Sequence, residues 1–284
     1  MNKLNFAFFG TPNIAKDTLE ILKNNGYIPS IIITSPDKPV GRGLHLTPSP
    51  VSLWAEKNNI YCLKPEKITE EFVNDLSNNS PRGSTNVDLY VVVAYGKILP
   101  ETLINIPKLG TINIHYSLLP KYRGASPLES TLLNGDERTG VSIQQMAFKL
   151  DSGPIIALKE IPIDINGTKD DLRNKLTKIG GDLLCEIIPK IINKNIIPKI
   201  QDESMATFCK KIKKEDGKID PSGNAKDNWN KYRAYFGWPG VYFFKNDKRI
   251  KITKARYEND SFVIERVIPE GKKEISYEDF LRQN

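Results

Sequence analysis

Four apolar runs, LNFAFFG, IPSIIITS, VDLYVVVAYG and GTINIHYS, limit what this 284-residue chain can fold into. Each is short, and the first three are rich in β-branched and aromatic side chains and mostly non-alternating. A strand with one face in water alternates apolar with polar residues, whereas a strand covered on both faces does not. Between the runs lie stretches of helical period, around 14–25 and 69–77. That order predicts a doubly wound, mostly parallel sheet covered by helices on both faces. Ligands of such sheets meet the carboxyl ends of the strands.

Beyond GTINIHYS, the run SPLESTLLNG reads as a helix closed by Gly135. TGVSIQQMAF and GPIIALKEIPI read as two strands joined by a turn around KLDSG. Thr168 with Asp171 three residues later suits a capping box, opening a long helix that runs to about Ile192. The segment 193–224 loses the rhythm and turns polar and Lys-rich. A helix over about 223–236 then precedes GWPG and three strand-like runs, VYFFK, RIKITKARY and SFVIERVI, which predict a small antiparallel barrel or sheet. The expected division is 1–192 for the α/β domain, 193–207 for a linker and 208–284 for a basic, β-rich domain. SNNSPRGSTN (77–86) is the one low-complexity patch and is expected as a surface loop.

From Thr207 to Asn284 the chain carries 18 Lys and Arg against 12 Asp and Glu, which is +6 of its total +7. Such asymmetry suits a domain that meets phosphate, although a solvated Lys-rich surface has the same composition. No apolar run approaches the roughly 18 residues of a membrane span. The N-terminal run is too brief for a signal peptide. Cys62, Cys185 and Cys209 are scattered, without metal-ligand spacing, which fits packing thiols in a reducing cytoplasm.

The chemistry gathers in NIHYSLLPKYRGASP, residues 113–127. Asn113 and His115 stand two apart on a strand, so both side chains leave the same face. A carboxamide donor and an imidazole aimed at one point suit an oxyanion that develops in acyl transfer. Asp151, in the turn KLDSGP, is the carboxylate able to orient the imidazole, with a glycine two residues later that lets the backbone fold close. Taken alone, an Asn-x-His on a strand is more often structural. FFGTPNIA has a single glycine and lacks the G-x-G-x-x-G spacing of a dinucleotide oxidoreductase.

NIHYSLLPKYRG followed by LDSGPII resembles the signature of the folate-dependent formyltransferases. FFGTPNIA, VVVAYGKILP, SPDKPVGRGLHLTPSPV, ATFCKKIKKEDGKID and AYFGWPGVYF extend the resemblance over nearly the whole chain, toward members that formylate an aminoacyl-tRNA. The resemblance implies a Rossmann-like catalytic domain followed by a small barrel. It implies 10-formyltetrahydrofolate as co-substrate, charged initiator methionyl-tRNA as acceptor, no metal, no membrane and a monomer. Asn113, His115 and Asp151 match the family's catalytic trio. Ser117, Leu118, Leu119 and Pro120 match the loop bordering the folate, and the backbone around Tyr95, Gly96 and Ile98 matches its pocket wall. The loop 36–50, with Lys38 and Arg42, matches an insertion that enters the acceptor arm. Lys210, Lys211, Lys213 and Lys214 are the expected phosphate contacts of the second domain.

Two departures from the family pattern stand out. Asn13 and Ile14 replace an acid and an aromatic, and the resemblance implies a barrel shortened by about a hairpin relative to the family's usual tail. An aminosugar nucleotide or another small amine is the alternative acceptor; it would call for neither the 36–50 loop nor the basic domain.

Overall fold

The computed structural model describes residues 4–40, 43–78 and 87–283. A seven-stranded sheet runs in the order Ile155–Pro162, Arg138–Gln145, Thr111–His115, Leu89–Val93, Phe6–Gly10, Ile31–Ile33, Tyr61–Leu63. The last five pair in parallel, and Arg138–Gln145 runs antiparallel to Thr111–His115. The non-alternating apolar runs occupy its centre: every residue of Phe6–Gly10, Ile31–Ile33 and Leu89–Val93 is buried.

Chain order creates the crevice. From the central Phe6–Gly10 strand the chain steps outward through Ile31–Ile33 and Tyr61–Leu63, then returns to the other side as Leu89–Val93. Loops leaving the strands on either side of that reversal diverge, which opens a site at their carboxyl ends. Thr11, just past the central strand, ties those loops together. Its hydroxyl lies 3.3 Å from the Tyr95 carbonyl, to which it donates, and 3.1 Å from the Ser35 hydroxyl.

The helices follow their sequence signals. Thr168 Oγ1 lies 2.6 Å from Asp171 Oδ2, and the Thr168 N–H donates to the same carboxylate at 2.9 Å, at the start of the Lys169–Ile192 helix. Ser49 caps the Pro50–Lys57 helix by accepting from the Ser52 N–H. Three elements escaped the sequence patterns. Tyr61–Leu63 is a three-residue strand, and the 36–50 loop holds a small hairpin, Lys38–Val40 against His45–Thr47. Three residues are too few to display a period.

The chain forms two compact units, each assembled from several segments. One takes the chain up to Lys121 with Gly140–Lys159 and Asn174–Ala206; the other takes Tyr122–Thr139, Glu160–Arg173 and Thr207 onward. The second unit carries a four-stranded antiparallel sheet, Val241–Lys245, Lys248–Glu258, Ser261–Pro269 and Ile275–Ser276. Its first two turns are Asn246-Asp247 and Asn259-Asp260, all four residues at φ between 49° and 57°. Paired positive φ is the hairpin geometry that matches strand twist, and Asn and Asp tolerate it best after glycine. Against this sheet lies the Ala225–Ala234 helix, where Trp229 stacks on Tyr232 with centroids 5.4 Å apart.

Candidate active site

The Thr111–His115 strand alternates as expected. Ile112 and Ile114 are buried on one face, while Asn113 and His115 share the other. The antiparallel neighbour adds to that second face, since Asn113 stands opposite Gln144 and His115 opposite Ser142. Asp151 reaches the same place from the following turn. Its Oδ2 lies 3.7 Å from His115 Nδ1, and both side chains are nearly sealed, with 6 % and 12 % of their surface exposed. At that distance the two groups form an ion pair when the imidazole is protonated, one small movement short of a hydrogen bond.

The other oxygen of Asp151 is held too. Gln144 Nε2 donates to Asp151 Oδ1 at 2.9 Å. The turn is anchored by backbone: Gln145 N–H donates to the Pro154 carbonyl at 2.9 Å, and Ser152 Oγ to the Lys149 carbonyl at 2.8 Å. Asp151 itself sits at φ 49°, a left-handed conformation that Asp accepts more readily than most residues. Gly153 presses so close to the preceding strand that a Cβ there would stand 1.7 Å from the Gln145 carbonyl oxygen. The glycine two residues beyond Asp151 therefore provides the close approach that its sequence position suggested.

The SLLP segment is fixed by the same strand. Ser142 Oγ donates to the Ser117 carbonyl at 2.7 Å and accepts from the Leu119 N–H at 3.0 Å. Ser117 Oγ then donates to the Lys121 carbonyl at 2.6 Å. Ser117 and Leu119 are buried; Leu118 and Pro120 are partly exposed. In the second unit, the Arg123–Gly124 pair is stitched in parallel to Phe208–Cys209, and Arg123 is fully buried. Of the two cations of KYRG, Arg123 is thus buried within that unit and Lys121 is exposed.

Tyr95, Gly96 and Ile98 lie in the loop beyond the Leu89–Val93 strand. The Tyr95 ring packs edge-on against Phe9 at 5.6 Å within the core, and burial pushes its hydroxyl up to about 12. Gly96 and Ile98 are exposed, and their backbone N–H groups have no hydrogen-bond partner among the described residues. Exposed, unpaired N–H groups beside the carboxyl end of a central strand fit a flat heterocycle with acceptor atoms. Lys97 is used otherwise, its Nζ donating to the carbonyls of Pro65 and Glu66.

A cavity of about 780 Å³ opens beside Thr11, bounded by Asn13, Glu20, Ser35, Lys38 and Trp54 among others. Asn13 is exposed on its wall, whereas Ile14 belongs to the core, so of these two residues only Asn13 faces this space. Lys38 is exposed, and so are Lys210, Lys211, Lys213 and Lys214 of the second unit. Arg42 and most of the 77–86 patch lie outside the described residues.

Residues 3–188 match the family model for formyl transferase, and 211–262 match that for the formyl transferase C-terminal domain. The chain belongs to the formyl transferase family. It is 42 % identical to a methionyl-tRNA formyltransferase of Thermotoga maritima over 249 residues, covering 88 % of this chain and 78 % of the relative. Identity to the Lysinibacillus sphaericus enzyme of the same name is 35 % over 302 residues, covering 97 % and 94 %. Solved formyl transferases share the fold. A methionyl-tRNA formyltransferase from Clostridium thermocellum aligns with a TM-score of 0.61 at 15 % identity, over 96 % and 99 % of the two chains. WlaRD, a sugar 3N-formyl transferase, aligns with a TM-score of 0.69 at 22 % identity, over 97 % and 98 %. Among the described residues no helix is long and apolar enough to cross a membrane.

The trio expected from sequence stands together on one face. Gln144, Ser142 and Gln201 also serve this face or the Asp151 turn, and no sequence motif marks them. Gln144 and Ser142 could have been found by extending the strand pairing one register outward from Asn113 and His115.

Proposed function

We propose that this formyl transferase moves the formyl group of 10-formyltetrahydrofolate onto the free amino group of methionine carried by initiator tRNA. The observation that carries the proposal is the 35–42 % identity to relatives named methionyl-tRNA formyltransferase, which spans both units of the chain. Sugar formyl transferases are similar at the level of fold, at 17–23 % identity.

The folate supplies the formyl carbon at the acylated nitrogen. What remains is to hold the carbonyl oxygen, orient the amine and move one proton, and the sealed face of the Thr111–His115 strand suits that work. Asn113 is assigned as a donor to the formyl oxygen as negative charge gathers on it. Such a donor is worth about 2.7–4 kcal/mol of transition-state stabilisation. With Nδ1 turned toward Asp151, His115 is assigned Nε2 as its reacting nitrogen. Asp151 fixes the imidazole tautomer and stabilises positive charge on the ring while the proton passes from amine to departing nitrogen. The N–H groups of Gly96 and Ile98 and the buckled Ser117–Pro120 segment are assigned to the folate ring. Lys38, Arg42 and the lysines of 210–214 are assigned to tRNA phosphate.

The test is direct. The protein is incubated with labelled 10-formyltetrahydrofolate and either charged initiator tRNA or aminosugar nucleotides. Label on the methionyl-tRNA alone is expected; label on the sugar alone would replace this reading with the alternative acceptor.

A further inference from the structure

We propose that Gln201 is a positioning residue for Asp151: its side-chain amide clasps the turn that carries the carboxylate and fixes which end of the Gln144 amide meets it. The inference rests on the formyl-transfer reading of Asp151 and adds a residue from beyond the long helix, outside the strands and turn that form the site.

Gln201 is almost fully buried, with 6 % of its surface exposed. Its Nε2 donates to the Asp151 carbonyl at 2.9 Å and to the Gly153 carbonyl at 2.7 Å, and lies 3.4 Å from Gln144 Oε1. One NH2 thus bridges the two carbonyls that flank Ser152 and still touches the neighbouring amide. An apolar side chain of the same length would fill the space but leave both carbonyls without this donor.

The contact with Gln144 carries direction. Gln144 is 1 % exposed, and its Nε2 donates to Asp151 Oδ1 at 2.9 Å. With Oε1 turned to the Gln201 amino group, the amino end of Gln144 must face the carboxylate. Reversing the amide would set oxygen against carboxylate and NH2 against NH2, two repulsive contacts in a buried place. The order of contacts runs from Gln201 to Gln144, to Asp151 Oδ1, and across the carboxylate to His115 Nδ1 at 3.7 Å. The turn needs such support, because Asp151 sits at φ 49° and Gly153 is pressed onto the Gln145 carbonyl.

Gln201→Met keeps the length of the side chain and removes both donors. In steady-state formylation of charged tRNA we expect kcat to fall about tenfold to hundredfold, the scale of a displacement near 1 Å at a reacting group. KM for both substrates should stay within about twofold, since the clasp touches neither binding surface. In an Asp151→Ala background, Gln201→Met should cost nothing further, because its effect passes through the missing carboxylate. Hydrogen exchange of the 147–153 segment should be slow in the wild-type protein and faster in the variant. Should Gln201→Met fail to fold, Gln144→Leu leaves the carbonyl clasp intact and should still show the loss confined to kcat.

A kcat within twofold of wild type, or the same factor lost again in the Asp151→Ala background, would overturn the proposal. Exchange equally fast in wild type and variant would overturn it as well, even if the wild-type protein formylates. A wild-type protein that transfers no formyl group but protects the turn through Gln201 would instead remove the formyl-transfer reading and leave the clasp standing.

Discussion

Asp151 meets its neighbours with both carboxylate oxygens, one toward Gln144 at 2.9 Å and one toward His115 at 3.7 Å. Shortening either partner of the imidazole–carboxylate pair should therefore act on chemistry far more than on folding. His115→Ala and Asp151→Ala are each expected to lower kcat by about 10²- to 10⁴-fold, the usual contribution of a positioned proton-transfer group. Their thermal midpoints should stay within a few degrees of wild type; turnover near normal in either would remove that residue from the trio. Gly153→Ala tests the turn itself. The added methyl would stand 1.7 Å from the Gln145 carbonyl oxygen, so the turn must move and carry Asp151 with it. Loss of activity is expected together with about 1–3 kcal/mol of stability, the cost of overpacking, read by denaturant titration alongside turnover. The thiols behave oppositely. Burial pushes Cys62 and Cys185 up to about 11, so both stay largely protonated at pH 8 and iodoacetamide should alkylate them in native protein far more slowly than a free thiol. Rapid labelling of either would contradict that burial.

Elements marked by an apolar run or a long period were legible in the sequence, the three-residue Ile31–Ile33 strand among them, and short strands without such a run were not. The eight-residue Arg138–Gln145 strand and the 24-residue Lys169–Ile192 helix both follow their patterns, the latter starting one residue past its cap. The three-residue Tyr61–Leu63 strand and the Lys38–Val40 and His45–Thr47 hairpin strands have no room for one. The same limit decides how much of the site could be seen. Asn113 and His115 are two apart on a single strand and point the same way by strand geometry alone. Gln144 enters only once pairing register is known, because it is a neighbour of Asn113 across the ladder. Gln201 lies 50 residues beyond Asp151 in an irregular segment, and no local pattern marks a residue whose partners are backbone carbonyls in a remote turn. The cap at Thr168 is the element-scale signal easiest to test. Thr168→Ala removes the hydroxyl that the Asp171 N–H approaches at 3.4 Å and that donates to the Asp171 carboxylate at 2.6 Å. A loss of about 1 kcal/mol is expected. For a chain of this size that lowers the thermal midpoint by about 2–4 °C, measurable by calorimetry.

Across the whole molecule, the charge asymmetry is sharper in three dimensions than in composition. Several cations of the C-terminal sheet are answered locally: Arg256 bridges Glu258 and Glu265, Lys254 also reaches Glu265, and Arg266 pairs with Glu274. Lys210, Lys211, Lys213 and Lys214 are exposed, and no side-chain ion pair engages them among the described residues. These four lysines, part of the net +6 from Thr207 onward, remain available to an external anion. A polyanion bound by such lysines releases counterions, and each phosphate neutralised adds about 0.7–0.9 to the slope of log K against log salt. Replacing all four lysines by alanine should flatten that slope by about 3 for tRNA binding and raise KM for charged tRNA. At saturating tRNA kcat should be unchanged, because the lysines belong to the second unit whereas Asn113, His115 and Asp151 belong to the first. A slope indifferent to the four substitutions would move the phosphate contacts elsewhere on the chain, with Lys38 and Arg42 of the 36–50 segment the next pair to replace.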